Sequence, residues 1–439
     1  MHRLYEASAY APPKGRFWAR TPAPDWTPLS ADLRTDVAIV GGGYTGVSTA
    51  LHLAEAGVEA TLLEADDAGF GASGRNGGFC CLGGAKATDA MLRRRHGEQG
   101  RRDWRRTERA AVDTVARILD IHGIDADTHS RGETQLAHSP RAMQALRAAL
   151  PDIRASYGVE PNLIDKAGLR QAGLGGPFHG ALTIPIGFAL DPARYHAGLS
   201  RAAEKAGAAL HAQSPVTAIT HADGLWRLST PDGTVSAKRV VIATNGYGAE
   251  DVPAWLRGRT LPVLSTVIVT RPLTLAEREA QGWTSRQMSF DTRQLLHYFR
   301  LLPDDRFLFG MRGGLSARPR ETRATARRIR RDFHAMFPAW RDVEIEHDWS
   351  GLVCLTRTLT PFVGPVPDMP GVFAGFGYHG NGVAMATHAG RVLASLVRGA
   401  APDADYPDAI RIPPPRFPLG RFRRSLLRPA YLAAETFDL

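Results

Sequence analysis

Lysine is nearly absent from this chain: of 54 basic residues only Lys14, Lys86, Lys166, Lys205 and Lys238 are not arginine, and none follows Lys238. Cysteine is scarce as well. Three residues, Cys80, Cys81 and Cys354, two of them adjacent, exclude a disulfide framework and a spaced metal site, so we read them as reduced thiols and expect no metal. Missing too is any apolar run near the ~18–20 residues that span a bilayer, and the opening MHRLYEASAYAPPKGR lacks the apolar stretch of a secretory signal. A cytoplasmic protein is expected. What is present is an ordinary soluble composition, 44% hydrophobic and 22% charged over 439 residues, long enough for two domains. The net charge of +10 includes two dense runs, RRRHGEQGRRDWRR (93–106) and RFPLGRFRRSLLR (416–428). No nucleic-acid-binding module accompanies them. We read both as solvated faces, expect no nucleic-acid partner, and leave membrane association to the tail as the less favoured option.

Residues 1–33 form a proline-rich arm, and the first strong signal follows it. DVAIV (36–40) is a short β-branched run; GGGYTG and VSTALHLAEAGV then give a glycine turn and a helix, and EATLLEA (59–65) the next strand. This βαβ unit places Gly41, Gly43 and Gly46 in the G-x-G-x-x-G frame. Gly41 permits the tight turn, Gly43 lets a pyrophosphate approach the backbone at the positive end of the helix, and Gly46 lets helix and strand pack closely. Glu64 ends the second strand, about 20 residues on, where a carboxylate can accept from ribose hydroxyls.

Three later stretches repeat this preference for bare backbone. GASGRNGG (71–78) spends half its positions on glycine, and we expect it to run beneath a pyrophosphate and a flat ring, with Ser73 on phosphate and Arg75 supplying charge. A hairpin at Asp232-Gly233 leads into the buried strand RVVIATNGY, whose end again offers small residues. GVFAGFGYHGNGVAMATHAG is a strand, a glycine turn and a helix of small residues. Between 251 and 345 apolar and polar residues alternate, as in LLHYFRLLPDDRFLFGMRGG, an antiparallel pair turning at PDDR. NAD would need one glycine fingerprint. Two helix N-termini converging on one ligand call for a longer one, charged at both ends, and FAD fits: the second N-terminus would stabilise the anion of the reduced ring.

DVAIVGGGYTGVSTALHLAEAGVEATLLEA, GASGRNGG, VVIATNGY and GFGYHGNGVAMATHAG, in this order, resemble the FAD-dependent D-amino-acid oxidase superfamily, the group with glycine and sarcosine oxidases, and within it the gamma-glutamylputrescine oxidase-like branch. The resemblance covers residues of about 16–430 and implies an α/β fold: a Rossmann-type FAD domain from segments 34–94, 186–250 and 346–402, an antiparallel-sheet substrate domain from 95–185 and 251–345, and a basic tail over 403–439. Its FAD contacts fall on Gly41, Gly43, Gly46, Glu64, Ser73, Arg75, Asn76, Gly77, the Val216 backbone and the Gly380-Asn381-Gly382 turn; Tyr44, Thr45, Ala65, Gly78, Thr244, Asn245 and Gly246 adjoin them. Two departures matter. Amino-acid oxidases of this kind carry an arginine that grips the substrate carboxylate, but GLVCLTRTLTPFVG (351–364) has Val353 there and Thr358 in place of an aspartate, which argues against a free α-amino acid. Sarcosine-oxidase-like members hold a lysine over the flavin for oxygen; with none after Lys238, that role would pass to His379, His297 or an arginine.

The resemblance thus implies oxidation of a CH–NH bond in an amine, hydride passing to flavin N5 and water hydrolysing the imine to an aldehyde. Residues expected to face substrate are Tyr247, Tyr298, Arg312, Tyr378 and His379, with Arg312 reaching any distant carboxylate and Cys354 a buried apolar thiol. Molecular oxygen is the expected acceptor. The alternatives are a dehydrogenase passing electrons to a quinone or carrier, and a non-catalytic basic protein that keeps flavin as structure.

Overall fold

The computed structural model describes residues 2–438 apart from Lys14 and Asp403; Met1, Lys14, Asp403 and Leu439 lie outside the described residues. Two sheets face one another. In the first, the strands run Phe362–Pro365, Val372–Phe376, Thr234–Ile242, Leu33–Val40, Ala60–Leu63 and Ala209–His211, all parallel except the first. Its central strand is buried from Val37 to Val40, as a parallel strand covered on both faces must be. Helices Tyr44–Glu55 and Gly382–Val397 lie together on one face, and their small residues set the spacing. A Cβ at Gly390 would stand 2.6 Å from the Thr45 carbonyl oxygen and from Ser48 Cβ, while Ser48 Oγ donates to Thr387 O at 2.7 Å. The hairpin of strands Ala218–Ala222 and Leu225–Ser229 extends from Thr234–Ile242.

The second sheet runs Ile345–Thr356, Thr260–Pro272, Arg306–Arg312, His297–Leu301, Met288–Asp291, Glu133–Leu136, Gly180–Ile184 and Asn162–Asp165. It is antiparallel but for one pair, Met288–Asp291 with Glu133–Leu136. Its outer face carries an aromatic slab, Phe299, Phe307 and Phe309 against Phe333, Phe337 and Trp340 of helix Pro319–Met336 and the turn after it. Its inner face looks at the first sheet.

Two expected boundaries move. Strand Ile345–Thr356 pairs with Thr260–Pro272 along its length, from Thr270↔Ile345 to Thr260↔Thr356, so the first 11 residues of the 346–402 block belong to the second sheet. Period-two alternation in IEHDWSGLVCLT was the available signal. Helix Asp89–Ile121 packs Val112, Val115 and Ile118 into the core that holds Leu51 and Val392, so the 95–185 block serves both domains. The arm and tail are not loose either. Trp18 is 1% exposed, with its indole N–H on Asn76 O at 2.8 Å. In the tail, Arg423 is buried on Glu250 and on Thr260 O (2.8 Å), and Arg424 lies over the Tyr5 ring at 3.9 Å. Those arginines serve the chain itself. In the 93–106 run Arg102 is exposed as expected, but Arg101 is buried on Asp152 (3.2 Å) and Asp89 (3.3 Å). Among the described residues no helix is long and apolar enough to cross a membrane.

Candidate active site

A cavity of about 630 Å³ lies between the sheets, and the glycine turns form its floor. The carbonyl of Gly41 aims at Gly46, where a Cβ would stand 1.9 Å from the oxygen; Gly41 itself has φ +108° and no room beside Ala243. Helix Tyr44–Glu55 therefore starts tight against the strand, presenting its first turn to the cavity. Ser73 Oγ accepts from Tyr44 N at 2.9 Å, which pins the 71–78 loop to that helix start. Glu64 accepts from Gly42 N at 2.6 Å and Asp66 N at 3.1 Å; burial nevertheless raises its pKa.

The loop GASGRNGG lines the cavity through Gly71, Ala72, Ser73, Arg75, Asn76 and Gly77. Some of its glycines answer to protein neighbours rather than to a ligand: a Cβ at Gly77 would stand 2.9 Å from the Tyr298 ring, and at Gly78 2.0 Å from Leu190 O. Asn76 ties the loop, donating to Ser73 O (2.8 Å) and accepting from Gly78 N (2.8 Å). The Arg75 guanidinium donates to Phe70 O and Ala11 O and lies over Phe70 and Tyr247, with no ion pair among the described residues. At the opposite end Gly380, Asn381 and Gly382 open helix Gly382–Val397, and Tyr378 Oη meets Thr45 Oγ1 at 2.7 Å. One hydrogen bond thus joins the two helix starts. Ala65, Val216, Thr244 and Asn245 line the cavity between them; Gly46, Gly78 and Gly246 sit behind the lining.

These residues fit a dinucleotide: a cavity lined by bare backbone at Gly41 and Gly43, by the starts of two helices and by the carboxylate of Glu64. Residues 36–396 match the DAO family model, described as FAD dependent oxidoreductase.

The chain belongs to this family.

Its cofactor is FAD. It is similar to "Probable oxidoreductase OrdL" of Rhizobium meliloti (strain 1021), 33% identical over 92% of each chain, and to "Gamma-glutamylputrescine oxidoreductase" of Escherichia coli (strain K12), 31% identical over 90% of this chain and 91% of that one. The fold is that of glycine oxidase from Geobacillus kaustophilus, with a TM-score of 0.70, 21% identity and coverage of 87% of this chain and 99% of that one. In this DAO-family chain the glycine turns of the first sheet form the cavity floor, and the inner face of the second sheet forms the roof.

All five residues expected to face substrate line the cavity, in different circumstances. Tyr247 Oη accepts from Leu352 N at 3.0 Å, Tyr298 Oη meets Ser265 Oγ at 3.0 Å, and Tyr378 is taken by Thr45. His379 accepts from Thr356 N at Nε2 (3.2 Å) and so donates from Nδ1 to Gly84 O (3.1 Å). Burial holds it neutral, with a pKa of about 4. Both ring nitrogens are thus hydrogen-bonded to backbone groups. His297 faces the outer side of the sheet, where it meets Asp291 at 2.8 Å and Phe309. Cys354 is buried, its thiol pushed up to about 12.

Arg312 stands apart. Its guanidinium crowds Gly380, 2.4 Å from where a Cβ would be, and makes no hydrogen bond or ion pair among the described residues. Ser265 faces both Arg312 and Gly351, so Arg312 lies two strands from the vacant arginine position at Val353, roughly 10 Å away. Beside it is a residue missed in the sequence. Lys86 is enclosed by protein, but its side chain has open surface because it projects into the cavity, and Arg312 together with this enclosure lowers its pKa to about 7. The lysine beside the flavin turn therefore comes from before the substrate sheet, where Lys86 N donates to Leu359 O at 2.8 Å. A lone lysine eight residues past GASGRNGG was the only sequence signal.

Proposed function

We propose that this protein oxidises the CH–NH bond of an amine that also carries an anionic group, with oxygen as electron acceptor. The observation behind the reading is the pair Arg312 and Lys86, two cationic side chains facing the cavity beside the Gly380 turn, neither in an ion pair among the described residues. Two neighbouring like charges of this kind suit a carboxylate. The name of the Escherichia coli relative, gamma-glutamylputrescine oxidoreductase, fits an amine of that sort, and γ-glutamyl amines are the first compounds to try.

Bound FAD would supply the two-electron acceptor for the α-hydride. The chain's part is to orient and to exclude water: Phe290, Val267 and Leu182 make an apolar roof, Tyr298 closes it over Gly77, and Arg312 fixes the anionic end. Lys86, titrating near pH 7, keeps a partial positive charge where oxygen must accept electrons. Hydrolysis of the released imine gives the aldehyde.

The test is the visible spectrum of the purified holoprotein under argon as γ-glutamylputrescine, simple amines and amino acids are added in turn. Bleaching by an amine and recovery in air supports an amine oxidase. Bleaching that air does not reverse, but a quinone does, replaces oxygen with a carrier. A flavin that no amine bleaches overturns the reading.

A further inference from the structure

Glu133 begins strand Glu133–Leu136 of the roof, between Ile184 and Met288, and lines the same cavity while only 3% exposed. The alternation of the strand puts Glu133 and Gln135 on the cavity side. One carboxylate oxygen, Oε2, accepts from Leu82 N at 2.9 Å, and Leu82 O in turn accepts from Asn381 at the start of helix Gly382–Val397. The carboxylate is thus fixed one residue away from the flavin turn.

No cation balances it. Arg105, the cation whose charge acts on it, is spent on Glu108 (2.9 Å), Asp89 and Tyr157 Oη (3.1 Å), and no ion pair reaches Glu133 among the described residues. The other groups facing it are Glu108 from helix Asp89–Ile121, whose carboxylate accepts a hydrogen bond from the Tyr157 hydroxyl at 2.8 Å, the neutral thiol of Cys81, and Gln135. A buried carboxylate without a counter-charge is costly unless a ligand brings one or a proton neutralises it. Burial and the neighbouring Glu108 raise its pKa to about 8, close to where a proton acceptor for an amine is effective.

We propose that Glu133 receives the substrate's ammonium group and takes its proton, which makes it a catalytic residue of the amine oxidation proposed above; the inference rests on that reading. The N–H pair stays on nitrogen as the proton passes to Glu133, giving a carboxylic acid and a neutral amine. The nitrogen lone pair then forms the C=N bond as the α C–H bond breaks, and bound FAD would accept the hydrogen with its electron pair as a hydride. Water adds to the iminium carbon, the C–N bond breaks to release aldehyde and ammonium, and the proton on Glu133 returns to solvent. Arg312, Lys86 and Glu133 line one cavity and so offer it both signs of charge for a zwitterionic substrate.

The experiment is the anaerobic reductive half-reaction by stopped flow, read as limiting rate and as substrate Kd against pH, in wild type, Glu133→Gln, Glu133→Asp and Lys86→Met, each checked for FAD content. Wild type should rise through about pH 8 as Glu133 ionises and fall near pH ~10 as the free amine loses its own proton. Glu133→Gln should bind FAD fully, raise Kd, lose the limb at about 8, and fall about 100-fold or more in rate over Kd at that pH, the deficit shrinking toward pH ~10 where neutral amine predominates. Glu133→Asp and Lys86→Met should keep the limb. Survival of the limb in Glu133→Gln, its loss in Lys86→Met alone, or an equal deficit at every pH overturns the assignment. Should no amine reduce the wild type, the amine-oxidation reading itself fails first.

Discussion

Replacing Gly46 by alanine probes the join between the first strand and the helix proposed to meet the pyrophosphate. The added Cβ would stand 1.9 Å from Gly41 O and 3.2 Å from Gly41 C, both backbone atoms. A comfortable carbon–oxygen contact is about 3.3 Å, so the helix start or the Gly41 turn must shift by more than an ångström. Neither has slack: Gly41 N is bonded to Leu63 O at 2.9 Å, and the helix is locked to its neighbour through Ser48 and Thr387 at 2.7 Å. Overpacking of this kind costs ~1–3 kcal/mol of stability. Displacing the first-turn N–H groups should remove at least one charge-assisted bond to phosphate, ~1.5–3 kcal/mol, which weakens FAD binding ~10- to 150-fold. Flavin fluorescence quenching on titrating apoprotein gives the Kd, and thermal melts of the apoprotein give the stability change. An alanine variant that binds FAD within twofold of wild type and melts at the same temperature would refute the argument that Gly46 sets the cradle.

Three other changes separate the roles assigned above. Lys86→Met should slow reoxidation of the reduced protein by air at least ~10-fold while leaving FAD content unchanged, measured by mixing the reduced protein with aerated buffer; equal rates would remove Lys86 from oxygen chemistry. Arg312→Leu should raise KM for carboxylated amines ~10-fold or more and change simple alkylamines little, because one charge-assisted pair is lost only for the former; equal loss for all amines would sink the carboxylate assignment. Arg423→Met leaves Glu250 buried without its partner and should cost ~3–5 kcal/mol in urea unfolding, with the visible flavin spectrum of the native state preserved. An unchanged midpoint would mean that the tail is not part of the fold's support.

The nucleotide-binding half was legible because its signals are local: a β-branched run, three glycines in register, a helix and an acid at a strand end all fall within residues 36–65. Hairpins at 232–233 and 302–305 were legible for the same reason, since turn chemistry and alternation sit side by side in the chain. The strand Ile345–Thr356 was misplaced because a strand's sequence says which faces are buried and not which sheet receives it. The substrate half resisted more strongly. Lys86 reaches Arg312 from a loop, and Glu133 comes close to Leu82 across a gap of about fifty residues, so their convergence depends on sheet register, which leaves no mark in either neighbourhood. Nor did composition reveal that the glycines of 71–78 serve Tyr298 and Leu190 as well as a ligand.

The order of strands in the first sheet bears on how the chain acquires its cofactor during synthesis. The βαβ unit that cradles phosphate is complete by Leu63, but its central strand needs Thr234–Ile242 at one edge, and that strand needs Val372–Phe376 at its own. A nascent chain therefore carries an open, apolar sheet edge through most of its translation. The second helix start, at Gly382, emerges later still. If both helix starts are needed to hold FAD, a ribosome-stalled fragment ending before residue 372 should hold no flavin, and the cofactor would bind late to a fold whose long-range pairings make it slow to close.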